Sequence, residues 1–429
     1  AMWQGGSLSD GSVGIGHTTA RPNTAAGHVS IGFEAGYSQT SGTSNTNLGY
    51  QAGYSQTTNN TTTNIGYRAG RSNIASGTTN VGSDAGYGMV GGYNTNLGYR
   101  AGFRNSTTQG GSYNVYLGAL AGYDGMGASD NNTGVGGRAL EKVTTGGNNT
   151  SIGRSSGGSL TTGGDNTLIG YQAGDDLTNG QQNTVVGSGA LGTTTNAFGF
   201  VAIGKGALGS STSTFASYNT AVGTGALGVA SGGGNIAIGG FAAAGGAGGG
   251  ISTGSNNTVV GNYAANDFNY TGSNNTIIGY DAEGSSASVS NEITLGNSSV
   301  TALRCAVTSI TSLSDERDKS EIEDLSYGLA FIDALQPREF VWDNRAETRV
   351  EIDKEGNNVE TEFYSANKGK KDFGFVAQEV KELDNDTLRL VYDENPDKLE
   401  LSYGKLVPIL VKAIQELKEE VEILKSQNK

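Results

Sequence analysis

Cysteine, histidine and proline are nearly absent from this chain, which has one Cys, two His and four Pro among 429 residues. The lone Cys305 cannot form an internal disulfide. Two His are too few for a usual His-rich metal site, so neither a metal nor a cofactor is predicted. Glycine without a three-residue period, together with so little proline, excludes collagen. No apolar run approaches the roughly 20 residues of a membrane-spanning helix, so no membrane insertion is expected.

Positive charge is also scarce, since 27 Lys and Arg face 41 Asp and Glu and leave a net charge of −14. This balance disfavours nucleic acid as a partner. The charges are not spread evenly, because residues 314–429 hold 17 of the basic and 28 of the acidic residues but only 5 of the 71 Gly. Such a change predicts at least two domains. We expect a glycine-rich shaft over 1–297, a connector over 298–313 and a different domain over 314–429.

The shaft consists of repeats of the form Asn-Thr-x-aliphatic-Gly-x-x-Ala, as in 45–52, 166–173 and 275–282. The glycine of the aliphatic-Gly pair recurs about every 17 residues. It lies at 16, 32, 49, 66, 82, 98, 118, 136, 153, 170, 187, 204, 223, 239, 261, 279 and 296. A period of this kind is typical of solenoids, in which repeats that bury little alone are stacked.

Each repeat has room for two short strands and two tight turns. The aliphatic residue and the Ala four positions later are predicted to share one face of an extended segment and to form the core. Gly permits a bend or a close backbone approach, and Asn, Ser and Thr suit turns and stacked ladders. Because this core is thin for a single chain, association of several chains is expected. The pattern resembles the head repeats of trimeric autotransporter adhesins, which implies a trimeric parallel β-roll or β-solenoid.

Two features of the repeat invite a ligand-binding interpretation. Three copies of G-x-G-x-x-G, beginning at Gly187, Gly204 and Gly223, recur at the repeat period with no helix after them, which argues against a dinucleotide site. Tyrosines follow several of the repeat glycines, at Tyr50, Tyr67, Tyr99, Tyr171 and Tyr280. They could form a structural ladder, which we favour because aromatic cross-strand pairs are ordinary sheet stabilisers, or a surface for sugars.

The C-terminal domain contains four distinctive segments in order: Ser314-Asp315-Glu316-Arg317-Asp318-Lys319; Leu329–Pro337 followed by Phe340 and Trp342; Phe373–Val380; and Leu401–Leu417. Together they resemble the endosialidase-type intramolecular chaperone, which ends many bacteriophage tail fibres and tailspikes. The resemblance implies a small α+β domain that assembles a homotrimer and then cuts itself off.

The last segment predicts a helix that ends in a coiled coil over 406–428. Val407, Leu410, Ile414, Leu417, Val421 and Leu424 follow heptad spacing. An ordinary amphipathic helix on a globular core is the alternative. β-Branched residues at heptad position a with Leu at position d favour a coiled coil of two helices. The resemblance implies three helices, and we expect three because the seam is too short to set the oligomeric state alone.

The resemblance places the cleaved bond between Leu313 and Ser314. It implies that Ser314 is the nucleophile and Lys319 the base, with Asp315 and Arg317 in supporting roles. Lysine must be neutral to accept a proton, and burial at a subunit interface or the nearby Arg317 would favour the neutral amine. Asp318, where the family often has an apolar residue, would favour the charged amine. Ser314 and Lys319 lie on different faces of a helix or a flat strand, so a turn must bring them together.

The resemblance implies a segment of a viral tail fibre or tailspike that is assembled in the host cytoplasm and carried on the virion. The expected partners are two further copies of the chain and a host cell-surface receptor, for which a carbohydrate is one candidate. A cellular or non-cleaving trimeric adhesin without enzymatic activity is the alternative. A carbohydrate-degrading tailspike would need convergent carboxylates, whereas the acidic residues of the shaft are scattered.

Overall fold

The structure is a computed structural model, which describes residues 11–19, 26–104, 110–124, 127–210, 217–245, 250–305, 314–343, 347–352, 358–363, 367–384, 387–393 and 399–428. The chain divides into two compact units, Ala1–Leu295 and Gly296–Lys429.

The first unit is a parallel β-solenoid, which confirms the predicted fold. Each repeat, or rung, contributes one strand to a 17-stranded sheet, and every strand pairs in parallel with that of the next rung. The strands are β1 Val13–Ile15, β2 Val29–Ile31, β3 Thr46–Leu48, β4 Thr63–Ile65, β5 Thr79–Val81, β6 Thr95–Leu97, β7 Val115–Leu117, β8 Thr133–Val135, β9 Thr150–Ile152, β10 Thr167–Ile169, β11 Thr184–Val186, β12 Val201–Ile203, β13 Thr220–Val222, β14 Ile236–Ile238, β16 Thr258–Val260, β18 Thr276–Ile278 and β19 Ile293–Leu295. Within the described residues, the second strand expected in each rung is present as β15 Gly250–Ile251 and β17 Asn269–Tyr270, which pair with each other, and as isolated bridges of Phe198 with Gln181 and Ser217.

The repeat glycine is required by both its backbone conformation and its neighbours. Gly170, for example, has a φ of +139°. From Gly16 to Gly261 each column glycine faces the next one, and an added Cβ would lie 2.1 to 2.7 Å from that residue's carbonyl group. No L-residue fits such a site, because the φ is strained and the neighbouring atom is rigid backbone. The glycine column therefore allows the rungs to stack.

The predicted core of the solenoid was wrong in one respect, because the aliphatic residue points outward. In β3 the middle residue Asn47 is buried, whereas Leu48 is 42% exposed. Alternation along a strand places the first and third residues on the outer face. The turn at Gly49 then reverses the chain, so Ala52 points inward although it lies four residues after Leu48.

The interior filled by these middle residues changes along the solenoid. In β3 to β6 they are Asn47, Asn64, Asn80 and Asn96, whose amides form a ladder with N–O distances of 2.7–2.8 Å. From β10 to β18 they are apolar, as at Leu168. The buried apolar cluster accordingly runs from Ala101 to Val289.

The second unit combines small sheets with three helices, as predicted. Its elements are a 3₁₀ turn Glu316–Asp318, α1 Leu329–Ala334, β20 Arg338–Val341, β21 Glu347–Ile352, β22 Asn358–Phe363, β23 Lys371–Gly374, α2 Ala377–Asp384, β24 Val391–Tyr392, β25 Glu400–Leu401, a 3₁₀ turn Tyr403–Lys405 and α3 Leu406–Gln427. The antiparallel pairs are β20 with β23, β21 with β22, and β24 with β25. Its core is formed by Phe331, Leu335, Val380, Leu390, Val391, Leu406 and Ile409.

Helix α3 uses one face for this core and leaves another uncovered. Leu406, Ile409 and Ala413 are buried. The heptad seam identified in the sequence lies on the adjacent face, and all six of its residues are exposed, up to 66% at Ile414. The seam therefore does not contribute to the core of its own chain. In an ordinary amphipathic helix packed on a globular domain, the apolar stripe would be buried in that core.

Candidate functional site

A single 3₁₀ turn brings Ser314 and Lys319 together. The turn spans Glu316–Asp318, and the backbone N–H of Lys319 closes it by donating to the carbonyl of Glu316 at 3.1 Å. Lys319 Nζ donates to Ser314 Oγ at 2.7 Å and to the Ser314 carbonyl at 3.2 Å. The nucleophile and base suggested by the sequence are thus in hydrogen-bonding contact across the turn.

Asp315 and Arg317 hold the turn in shape. The Asp315 carboxylate accepts the backbone N–H of Arg317 at 3.0 Å, as an N-cap does. It also accepts two hydrogen bonds from the Arg317 guanidinium, at 3.0 and 2.6 Å. This pairing lowers the pKa of the Asp315 carboxyl. The guanidinium is thus directed at Asp315, within the turn.

The environment of the pair is open in the single chain. Ser314, Arg317 and Lys319 are exposed. Within the described residues, no hydrogen bond or ion pair joins Asp318 to Lys319, so the neighbouring carboxylate does not engage the amine. Leu313, on the other side of the suggested cleavage point, lies outside the described residues.

A second feature, not recognised from the sequence, is an outward-facing aliphatic stripe along the solenoid. The stripe consists of the third residue of each strand of the main sheet: Ile15, Ile31, Leu48, Ile65, Val81, Leu97, Leu117, Val135, Ile152, Ile169, Val186, Ile203, Val222, Ile238, Val260, Ile278 and Leu295. None of these side chains is fully buried. Strand alternation was the signal that could have identified it, because the aliphatic residue and its buried neighbour are adjacent in the repeat.

The tyrosines that follow the repeat glycines form a ladder only in part. Phe33, Tyr50 and Tyr67 stack face to face with ring centroids 5.2 and 5.3 Å apart. The next position is Ser83, so Tyr99 is separated from this stack. Tyr171 has no stacked ring among the described residues, and Tyr280 meets Tyr263 edge-on at 6.3 Å.

A buried carboxyl near the end of the solenoid also escaped sequence analysis. Tyr270 donates its hydroxyl to Glu283 Oε2 at 2.6 Å, and Oε1 accepts the backbone N–H groups of Asn266 and Asp267 at 2.7 and 3.1 Å. Burial raises the pKa of Glu283 to about 8 despite these hydrogen bonds. Tyr270 lies in β17, one of the two extra strands, and neither it nor Glu283 belongs to the Asn-Thr-x-aliphatic-Gly-x-x-Ala pattern, so the repeat pattern did not predict their contact.

The described part of the chain contains neither a metal-binding cluster nor a helix that could span a membrane. No cluster of His, Cys, Asp or Glu there has the composition to hold a metal ion. No described helix is both long enough and apolar enough to cross a membrane.

Comparison with known proteins places the turn at the start of a recognised domain. Residues 314–389 match the protein family described as chaperone of endosialidase. The match begins at Ser314 and covers the first 3₁₀ turn, α1, strands β20 to β23 and α2, and it ends before β24, β25 and α3. No curated protein and no solved structure matches the chain significantly. The match supports a chaperone role for this part of the chain, and the solenoid has only its own geometry as evidence.

Proposed function

We propose that this chain is the shaft and assembly domain of a homotrimeric bacteriophage tail fibre used in host attachment. In this proposal residues 1–297 form the shaft, and residues 314–429 bring three chains into register and are then released by cleavage before Ser314. The single observation that carries the releasing step is the 2.7 Å contact between Lys319 Nζ and Ser314 Oγ at the first residue of the family match.

The aliphatic stripe supports association of the shafts. Seventeen strands at about 4.8 Å spacing make it roughly 77 Å long. A continuous apolar surface of this extent is unusual on a monomer and typical of an interface. A second and third copy of the chain would present the same stripe, so closed rotational symmetry would cover all three stripes at once.

The exposed heptad seam of α3 supports trimer formation at the other end of the chain. Its apolar residues are exposed and lie beside the face of α3 that packs on the domain core. Association of three seams would join the chains before the rungs pair. Near-identical rungs specify their own register poorly, so such a starting point has a clear physical use.

The cleavage proposed for Ser314 is an acyl shift followed by hydrolysis. Neutral Lys319 takes the hydroxyl proton, and Oγ attacks the carbonyl carbon of Leu313. The C–N bond then breaks, the amide nitrogen receives the proton, and Leu313 becomes esterified to Oγ. Water hydrolyses the ester, leaving a carboxylate on Leu313 and a free amine on Ser314. Covering the exposed Lys319 in the trimer would favour its neutral form, which links cleavage to assembly.

Denaturing gels and intact mass spectrometry of the expressed protein test the cleavage. We expect two fragments, the smaller beginning at Ser314. Ser314→Ala should give a single full-length chain, and Lys319→Gln should slow cleavage by orders of magnitude, because the base is lost. Ser320→Ala, which removes a neighbouring exposed hydroxyl, is the matched control and should cleave normally. A full-length wild-type chain after trimer formation would refute the enzymatic part.

Analytical ultracentrifugation tests the association independently. Ile152→Asp and Ile203→Asp place charges in the middle of the stripe and should yield monomers or aggregates, since burying an unpaired carboxylate is costly. Thr145→Asp adds the same charge on an exposed turn away from the strands and should remain trimeric. A monomeric wild-type protein would contradict the trimer.

The alternative is a trimeric fibre that does not cleave itself, and exposure of Ser314 and Lys319 is the observation in its favour. It predicts the same sedimentation behaviour with a single full-length band.

A further inference from the structure

The aromatic ladder is interrupted by a notch at one rung. Ile65, Val81 and Leu97 are aligned in neighbouring strands. The residues two positions later are Tyr67, Ser83 and Tyr99, so a serine stands where a ring would continue the column. The two rings flanking it are about half exposed, at 50% and 49%.

The notch has the thickness of one ring. Rungs two apart are separated by about 9.6 Å. Stacked rings in the adjacent part of the same column lie 5.2–5.3 Å apart. One flat ring placed over Ser83 would therefore contact Tyr67 with one face and Tyr99 with the other.

Charged groups line the side of the notch. Asp84 follows Ser83, and its carboxylate lies 3.4 Å from Arg68 Nε and 3.7 Å from Arg100 Nε. Neither Nε has a hydrogen-bond partner within the described structure. The guanidinium carbons lie 5.7 Å from the Tyr67 ring centre and 5.2 Å from that of Tyr99. Two cations facing one anion leave the side of the notch positively charged.

This charge is local, because residues 35–123 contain four Arg, one Asp and no other charged side chain, while the whole chain carries −14. Arg71 adds to the same surface, donating from Nη1 to the Tyr87 hydroxyl at 3.0 Å. A surface that is positive on an acidic chain complements an anionic ligand.

We propose that the notch between Tyr67 and Tyr99 binds a carboxylated sugar ring of an acidic polysaccharide on the host surface. Flat apolar ring faces suit the two C–H faces of a pyranose. Arginine guanidiniums recognise carboxylates, and the partly exposed Ser83 can exchange hydrogen bonds with sugar hydroxyls. This inference rests on the host-attachment part of the proposed function and names the ligand class.

A nucleobase could also enter a slot between two rings. A polynucleotide, however, carries a charge on every nucleotide, and its affinity depends on many phosphate contacts. The notch offers only a small local excess of positive charge on a strongly acidic chain. A hydroxyl-rich sugar ring with a single carboxylate matches the two tyrosine rings, the arginines and the serine of the notch better than a polynucleotide does.

The test is binding of the full-length protein to galacturonate oligomers by isothermal titration calorimetry. Dextran serves as the neutral comparison and a single-stranded oligodeoxynucleotide as the alternative ligand. Ser83→Tyr completes the aromatic column and fills the notch, so it should weaken galacturonate binding at least tenfold while keeping the fold. Ser188→Tyr adds the same side chain at the equivalent exposed position of a distant rung and should bind as wild type. Arg100→Gln should weaken binding and reduce its salt dependence.

The outcomes separate this proposal from the one before it. Galacturonate binding that Ser83→Tyr abolishes and Ser188→Tyr preserves supports the notch. Equal binding of dextran, preferential binding of the oligonucleotide, or no effect of Ser83→Tyr overturns it. A change of oligomeric state in Ser83→Tyr would identify the notch as a contact between copies and also overturn it. A trimeric, self-cleaving protein that ignores galacturonate would overturn the notch alone.

Discussion

The glycine column gives the sharpest test of how the solenoid is held together, and Gly170→Ala is the perturbation. Its φ of +139° is a conformation that only glycine adopts readily. The new Cβ would lie 2.5 Å from the carbonyl oxygen of Gly187. Because that oxygen belongs to the backbone of the next rung, the overlap can be relieved only by moving the rungs apart.

The loss of stability in Gly170→Ala has two contributions, backbone strain and steric overlap, and substitutions at two further glycines separate them. Gly189 has a φ of +64° with nothing within 4 Å of an added Cβ, so Gly189→Ala introduces backbone strain alone. That strain is worth about 1–2 kcal/mol. Gly137 has no left-handed φ, and its nearest neighbour would be 3.8 Å away, so Gly137→Ala should be nearly neutral. Gly170→Ala adds overpacking of about 1–3 kcal/mol to strain of similar size, for a total of about 2–6 kcal/mol per chain.

Guanidinium unfolding followed by circular dichroism, at matched protein concentration, measures these differences. The expected order of stability is Gly137→Ala, then Gly189→Ala, then Gly170→Ala. If unfolding proves irreversible, the unfolding rates at fixed denaturant should follow the reverse order. A Gly170→Ala protein as stable as Gly137→Ala would refute the view that close contact between column glycines determines the stacking.

Other parts of the molecule yield further predictions. Glu283 has a folded pKa of about 8 against an unfolded value near 4.5, so its stabilising effect is complete below about pH 4.5 and is lost as the pH rises to 8. Glu283→Gln should remove this loss of stability, which is worth up to about 1.4 kcal/mol per pH unit. Glu34→Gln is the control and should leave the loss unchanged. Unfolding midpoints of both variants at pH 5 and pH 8 test the prediction. Asp384 is buried and accepts backbone N–H groups of Leu388 and Leu390 at 2.6 and 2.7 Å. Asp384→Ala should therefore lower the stability of the second unit by about 2–4 kcal/mol and reduce trimer yield. An Asp384→Ala protein that melts at the wild-type temperature would contradict this. Finally, Ser314→Ala trimers should unfold faster than cleaved trimers and refold on dilution, because they retain the assembly domain; equal rates and equal refolding yields would exclude kinetic trapping.

Much of the architecture follows directly from the sequence. The recurrence of the aliphatic-Gly pair about every 17 residues predicts stacked rungs, and the parallel sheet confirms them. The change in composition at Ser314 coincides with the start of the family match. The spacing of Ser314 and Lys319 required a turn, and a 3₁₀ turn is present. These features are local or periodic, so they can be recognised without knowledge of distant contacts.

The tertiary structure alone decided which side chains face inward. Successive residues of a strand point to opposite sides, so a displacement of one residue exchanges the core with the surface. The turn at each column glycine sets this orientation, turning Leu48 outward and Asn47 inward. The notch at Ser83 depends on the alignment of three rungs. The contact between Tyr270 and Glu283 depends on the position of the extra strand β17 against the next rung. Sequence periodicity specifies neither, because both arise from residues brought together only when the rungs are stacked.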